Sequence, residues 1–143
     1  RLMARTMLRS IGPLPDDAVI VPVPSHRWRI WRRGFNQAAE IARQISRQSG
    51  RPLVVDALDR IKPTPSTKGL TRQARLRNVA GAFRVARPTA IAGHSVVLID
   101  DVMTTGATVS ACAAKLAKAG ARQVEVLTYA RTLREGQGNF AFS

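Results

Sequence analysis

Cysteine, acidic residues and aromatic residues are all scarce in this chain of 143 residues. Its single cysteine, Cys112, excludes a disulfide framework and favours a reducing compartment, so we expect a cytoplasmic protein. No apolar run approaches the ~18 residues that a membrane span needs, so we expect no membrane insertion. Nine acids and two histidines are also few for a metal-dependent hydrolase, which needs several converging ligands.

Positive charge is abundant by contrast. Lysine and arginine number 23, which gives a formal net charge of +14. Residues 60–87 contain eight basic side chains and no acidic one. Such a field attracts polyanions, either small phosphate esters or nucleic acid, unless it is simply a solvated basic surface. Only seven aromatic residues are available to stack on bases, so the usual design for binding single-stranded nucleic acid is incomplete.

The most informative segment is Val96–Thr108, with the sequence Val-Val-Leu-Ile-Asp-Asp-Val-Met-Thr-Thr-Gly-Ala-Thr. The apolar run predicts a buried parallel strand, and a helical pattern opens directly after the segment. Ligands bind at the carboxyl edge of such sheets, and backbone amides at a helix N-terminus suit a phosphate. Asp100 and Asp101 precede the turn, where carboxylates accept hydrogen bonds from sugar hydroxyls. The pattern therefore predicts a site for a ribose 5-phosphate.

These residues resemble a known family. Val96–Thr108 is similar throughout to the phosphoribosyl pyrophosphate (PRPP) motif of type I phosphoribosyltransferases. Residues 22–26, residues 33–37 and the stretch from Leu70 to Phe83 resemble the competence protein F (ComF) branch. The resemblance covers roughly residues 18–131.

The resemblance implies a role for each residue of the motif. Asp100 and Asp101 would contact the ribose hydroxyls as the catalytic acids. They would also hold Mg²⁺ indirectly, through those hydroxyls and water. The 5-phosphate would bind the turn formed by Thr104, Thr105, Gly106, Ala107 and Thr108.

A second loop lies where type I transferases bind pyrophosphate through backbone amides. Its residues here are Val23, Pro24, Ser25 and His26, and Arg32 and Arg33 would neutralise the leaving group. Trp28 and Trp31 either stack on a base or pack the loop against the domain.

The resemblance also implies a flexible lid over about residues 62–78, closing over PRPP to exclude water. Lys68, Arg72 and Arg75 would reach pyrophosphate from this lid, although simple solvated basic residues remain an alternative for each of them.

The fold class we expect is α/β, a type I phosphoribosyltransferase-like open and mainly parallel sheet with helices on both faces. The domain would span residues 1–131, followed by a C-terminal tail over 132–143. The chain begins with Arg1, and the resemblance implies that a zinc-binding, cysteine-rich segment precedes the domain in the whole protein.

The predicted strands are Ala18–Val23, Leu53–Val55, Leu58–Ile61, Ala82–Val85, Ser95–Ile99 and Val124–Tyr129. The predicted helices cover Leu2–Arg9, a stripe from Ala38 to Ile45, Thr71–Asn78 and a segment from Ala107.

Two functions follow from the resemblance. The first is a phosphoribosyltransferase that binds PRPP with Mg²⁺ and displaces pyrophosphate from the anomeric carbon with a nitrogen nucleophile. The second is a PRPP-fold protein without catalysis that handles single-stranded DNA during natural competence. Partners would be PRPP and pyrophosphate, with single-stranded DNA or competence proteins in the second case. The acceptor and the assembly, a homodimer included, stay open.

Overall fold

The computed structural model describes residues 9, 12–24, 37–61, 71, 73–74, 77, 81–100 and 106–128, and the backbone of 139–142. Their centre is a four-stranded sheet with the order β1-β4-β5-β6. β1 (Ala18–Pro22), β4 (Ser95–Asp100) and β5 (Gln123–Thr128) are parallel, and β6 (Asn139–Phe142) is antiparallel to β5. None of the helices within the described residues has the length and apolar character needed to cross a membrane.

Both faces of this sheet are buried, as apolar parallel strands require. Because successive side chains alternate between faces, each strand divides its residues between two clusters. The face covered by the first helix holds Ala18, Ile20, Val97, Ile99 and Leu127. The opposite face holds Val19, Val21, Val23, Val96, Leu98, Val124 and Val126.

Helix α1 (Gln37–Ser49) covers the first of these faces. Its predicted apolar stripe is confirmed, since Ala38, Ile41, Ala42 and Ile45 are all buried. The helix ends before Gly50, whose positive φ of 75° is a backbone conformation that glycine adopts without strain.

Helix α3 (Ala107–Lys118) covers the opposite face together with a small second sheet. That sheet pairs β2 (Leu58–Arg60) with β3 (Phe83–Val85) in antiparallel register. The predicted strands at residues 58–61 and 82–85 are thus present, but they join each other rather than the main sheet. A single-turn helix α2 (Pro88–Ile91), which the sequence did not predict, leads from β3 to β4.

Two further segments differ from prediction. Leu53–Val55 was predicted as a strand, but it forms only one parallel bridge, from Leu53 to Ile20. Pro52 has no N–H to extend a ladder, and the chain turns at Val55. Residues 139–142 were assigned to a tail, yet their backbone forms β6; four residues in a glycine-containing segment gave too little periodicity to identify a strand.

Candidate functional site

The neighbouring strands β1 and β4 define a candidate crevice at the carboxyl edge of the sheet. The helix that follows β1 along the chain, α1, covers one face of the sheet. The helix that follows β4, α3, covers the other face. Open α/β sheets bind ligands at this kind of point, because the two connections diverge and leave a gap between the strand ends. The residues at this gap are Val23 and Pro24 after β1, and Asp100 at the end of β4.

Asp100 is the last residue of β4 and is half-buried at this edge. Its register partner on β5 is Thr128, which is fully buried. The adjoining Ile99 lies in the core, so the strand changes from apolar to acidic where it leaves the sheet. The predicted partner acid, Asp101, lies outside the described residues.

Gly106 forms the junction between the predicted phosphate turn and α3. It takes a left-handed conformation (φ 80°, ψ −5°) and acts as the helix N-cap, and the N–H of Ser110 donates to its carbonyl at 2.8 Å. Gly106 has no side chain that could cap this N-terminus, and the first turn of α3 contains no acid, although the helix dipole favours negative charge there. An anionic ligand would meet no competing carboxylate from that turn. Ala107 and Thr108, which follow, are half-buried.

The predicted pyrophosphate loop begins beside Asp100. The N–H of Val23 donates to the carbonyl oxygen of Ile99 at 2.8 Å, which continues the β1–β4 pairing one residue beyond the strand. Val23 is buried and Pro24 half-buried. The structure therefore brings the start of this loop close to Asp100, the predicted ribose-binding acid, although Pro24 and Asp100 are 76 residues apart in the sequence (24 and 100).

The remaining predicted site residues lie outside the described part of the chain, and their roles stay predictions. They are Thr104 and Thr105 of the phosphate turn, Ser25, His26, Arg32 and Arg33 of the pyrophosphate loop, and Lys68, Arg72 and Arg75 of the lid.

The structure describes the residues that flank the predicted lid in the sequence, which we call the lid base. β2 leads into residues 62–78 and β3 follows them, and the N–H of Ile61 donates to the carbonyl of Ala82 at 2.8 Å. Phe83 and Ala82 are buried in the same cluster as Val109 and Cys112 of α3. Leu58 before the predicted lid, and Ala82 and Phe83 after it, thus lie in one buried cluster with the helix whose N-terminus follows the predicted phosphate turn.

Sequence reasoning missed Arg60 at this base. Its guanidinium carbon lies 5.4 Å from the centroid of the Phe83 ring, a cation–π distance. Nothing distinguished Arg60 from the other seven basic residues of 60–87, because the pattern does not show which of them points inward.

Cys112 is a small packing residue of the core. It is fully buried on α3, where burial, and then the nearby carboxylate of Asp100, raise the pKa of its thiol; the Arg60 guanidinium acts in the opposite direction. The thiol therefore stays protonated at neutral pH and is a poor nucleophile.

Comparison with known proteins identifies the family of this chain. The phosphoribosyl transferase domain family matches residues 30–137, which is most of the chain. The chain therefore belongs to the phosphoribosyl transferase domain family. Within that family it is a member of the ComF branch, as its relatives show.

Three relatives illustrate the branch. The DNA utilization protein YhgH of Salmonella typhi is 40% identical over 133 residues, which cover 92% of this chain and 56% of that protein. Competence protein F of Haemophilus influenzae is 36% identical over 119 residues, covering 82% and 51%. Competence protein ComFC of Bacillus subtilis is 31% identical over 102 residues, covering 71% and 39%. The chain thus spans about half the length of the first two relatives.

Two solved structures show the same fold at low identity. The allosteric regulatory enzyme of purine biosynthesis superimposes with a TM-score of 0.59 at 18% identity, covering 89% of this chain and 24% of that one. A protein from Thermus thermophilus superimposes with a TM-score of 0.52 at 20% identity, covering 96% and 76%. The α/β fold class predicted from the sequence is confirmed.

Proposed function

We propose that this domain binds PRPP with Mg²⁺ and transfers its phosphoribosyl group to a nitrogen nucleophile, releasing pyrophosphate. The observation that carries the proposal is the crevice between β1 and β4. There, Asp100 ends one strand, Val23 begins a loop from the other, and an acid-free helix N-terminus follows Gly106. In this proposal Asp100 binds the ribose, the loop that begins at Val23 binds the pyrophosphate, and the helix N-terminus binds the 5-phosphate of PRPP.

The chemistry asked of the protein is positioning and electrostatics. The nitrogen lone pair forms a bond to the anomeric carbon, the carbon–oxygen bond breaks, and its electron pair leaves with pyrophosphate. The nucleophile then loses its proton to solvent. The transition state resembles an oxocarbenium ion, as in glycoside hydrolysis, so Asp100 would stabilise positive charge on the ribose ring.

The donor chemistry at the site fits Mg²⁺. Proteins bind this ion through one or two carboxylates, with substrate phosphates and water completing its coordination. Asp100 is half-buried and provides such a carboxylate at the crevice. Within the described ranges, no cluster of three or more His, Cys, Asp or Glu could hold a metal ion by itself. Bound Mg²⁺ would neutralise charge on the leaving pyrophosphate.

A pyrophosphate-release assay tests the transfer reaction. The domain is incubated with PRPP, Mg²⁺ and a panel of nucleobases and amines, beside Asp100→Asn and the control Asp59→Asn. Asp59 is an acid of β2 that pairs with Arg84 at 3.1 Å and lies outside the crevice. We expect release with at least one acceptor, lowered by about 10²-fold or more in Asp100→Asn and unchanged in the control. Release that is equal in all three proteins contradicts the proposal.

A second candidate function is binding of single-stranded DNA without catalysis. It is favoured by the net charge of +14 and by the names of the relatives, which refer to DNA utilization and competence. Fluorescence anisotropy with a labelled single strand at increasing salt tests it. DNA binding at physiological salt that PRPP does not displace, together with no pyrophosphate release, would favour this function. Binding that disappears at low added salt reflects net charge alone.

A further inference from the structure

Arg51 joins the segment before β1 to the end of α1. Its Nε atom donates to the carbonyl oxygen of Pro15 at 2.7 Å, and its Nη2 atom donates to that of Leu14 at 3.0 Å. The Arg51 side chain is 24% exposed, whereas the carboxylate of Asp16, which it approaches at 3.4 Å, is fully exposed. Because an ion pair with an exposed carboxylate contributes little, the two carbonyl bonds are the main contact.

The backbone of Arg51 is held in place by α1. Its carbonyl oxygen accepts a hydrogen bond from the Ser46 hydroxyl at 2.6 Å, and its N–H donates to the Ser49 hydroxyl at 3.2 Å. Both serines belong to the last turn of the helix. The planar guanidinium is also pre-organised to donate in two directions, so little freedom is lost when it binds both carbonyls.

Arg51 directly precedes the residues that cover the outer edge of β1. β1 is the terminal strand in the sheet order β1-β4-β5-β6, so its second edge faces away from β4. On that edge the N–H of Ile20 donates to the carbonyl of Pro52 at 2.8 Å, and the N–H of Val54 donates to the carbonyl of Ile20 at 2.9 Å. We call residues 51–54 the edge segment. Its pairing with β1 is one bridge, and Pro52 has no N–H that could extend it.

The Arg51 guanidinium supplies the donors that this short pairing lacks. Its two acceptors, the carbonyls of Leu14 and Pro15, precede the start of β1 at Ala18. The side chain thus continues the attachment of the edge segment past the amino end of the strand. Leu14 is 7% exposed and belongs to the same buried cluster as Ile20, so the acceptor side of this contact is itself fixed. An uncovered strand edge offers its N–H and C=O groups to another chain.

We propose that Arg51 is a latch that holds the edge segment on the outer edge of β1 and so prevents a second copy of the chain from adding a strand there. The latch lies at the amino end of β1, whereas the candidate crevice lies at the carboxyl end. It is therefore a property of the fold that does not depend on PRPP.

Hydrogen exchange at single amides tests the latch. The N–H groups of Ile20 and Val54 report on the edge segment, and those of β4 report on the centre of the sheet. We expect Arg51→Ala to speed exchange at Ile20 and Val54 by about tenfold or more, as the loss of a hydrogen bond from a charged group predicts, and to change the amides of β4 much less. Wild-type rates at Ile20 and Val54, or the same acceleration in β4, would overturn the proposal.

Arg43→Ala is the matched control, because Arg43 is an exposed residue of α1 that pairs with Glu40 at 3.4 Å. Its exchange rates at Ile20 and Val54 should equal those of the wild type. Arg51→Lys keeps the charge but loses the fork that reaches two carbonyls, so we expect rates between those of the wild type and Arg51→Ala. If Arg51→Ala does not fold, the lysine variant decides, and wild-type exchange at both amides in that variant overturns the latch.

Sedimentation velocity over a range of protein concentrations tests the protective role. We expect Arg51→Ala to self-associate at a lower concentration than the wild type and Arg43→Ala, because the edge of β1 is uncovered more often. Equal association by the three proteins would overturn this role.

Discussion

Gly106 connects the predicted phosphate turn to α3 through a left-handed backbone conformation that residues with a side chain rarely adopt. A left-handed conformation costs a residue with a Cβ atom roughly 1–2 kcal/mol. We expect Gly106→Ala to destabilise the domain by about that amount in urea unfolding. It should also weaken PRPP binding by about tenfold or more, since the first amides of the helix would change direction.

Gly50 supplies the matched control for this substitution. It has a similar φ of 75°, ends α1, and has no atom within 4 Å of the place that a Cβ would take. Gly50→Ala should therefore lower stability by a similar amount and leave PRPP affinity unchanged. Equal affinities in the two variants would show that the turn at Gly106 has only a structural role.

Asp17 lies at the opposite, amino edge of the sheet, where it accepts a hydrogen bond from the Ser95 N–H at 3.2 Å and pairs with Arg122 at 3.1 Å. Desolvation raises the pKa of its carboxyl, but hydrogen bonding to Ser95 through the backbone N–H and the charge of Arg122 outweigh this effect, and the pKa lies below the ordinary 3.8. A lowered pKa in the folded state stabilises the fold above the ordinary value. This contribution is lost as the pH falls through 3.8 towards the folded pKa.

Asp17→Asn should therefore destabilise the domain near neutral pH and have a much smaller effect well below the ordinary pKa of 3.8. Urea midpoints of the wild type and the variant, measured at both pH values, test this expectation. Asp56→Asn serves as a control, because that carboxylate is exposed and pairs with Arg87 across the surface. An equal loss of stability at both pH values would contradict the ionic role of Asp17.

At the scale of helices and strands, the sequence predicted best those elements that have strong periodicity. The apolar run of β4 and the helical stripe of α1 are present close to their predicted bounds. Leu53–Val55 has strand-forming residues, but one proline and a turn reduce it to a single bridge. β6 depends on pairing with β5, a long-range contact that four residues do not encode by their own pattern.

The same limit applies to the candidate site. Asp100 and Gly106 were predicted because a contiguous motif contains them. Arg60 was missed because its position over the Phe83 ring depends on which face of a three-residue strand packs against α3. Such packing follows from the register of β2 with β3, and three residues are too few to fix that register from sequence.

The α3 helix supports the sheet and the lid base together. Leu116 is fully buried in the cluster that contains Phe83, Val96 and Val126. We expect Leu116→Ala to destabilise the domain by about 2–5 kcal/mol, since the lost methyl groups leave a cavity between the two sheets. Lys118→Ala, an exposed position near the end of the same helix, should change stability by less than about 0.5 kcal/mol. Similar urea midpoints for the two variants would contradict this packing.

At the scale of the whole molecule, the fold and the family are established, and the activity is the proposal. The positive net charge suits PRPP and nucleic acid equally, because it acts on any polyanion. What would separate the two ligands is the crevice, where the proposed function assigns the ribose to Asp100 at the end of β4 and the phosphate to the N-terminus of α3. A DNA backbone would gain little from Asp100, whereas a ribose offers hydroxyls to it.

Calorimetric titration examines that crevice directly. PRPP in excess Mg²⁺ is titrated into the wild type, into the double variant Asp100→Asn/Asp101→Asn, and into the control variant Asp59→Asn. Hydrogen bonds from hydroxyls to a carboxylate contribute about 1.5–3 kcal/mol each, which corresponds to about tenfold or more in affinity. We expect the wild type and Asp59→Asn to bind PRPP with equal affinity, and the double variant to bind at least about tenfold more weakly. No binding by the wild type, or equal binding by all three proteins, would contradict a sugar-phosphate site at the end of β4.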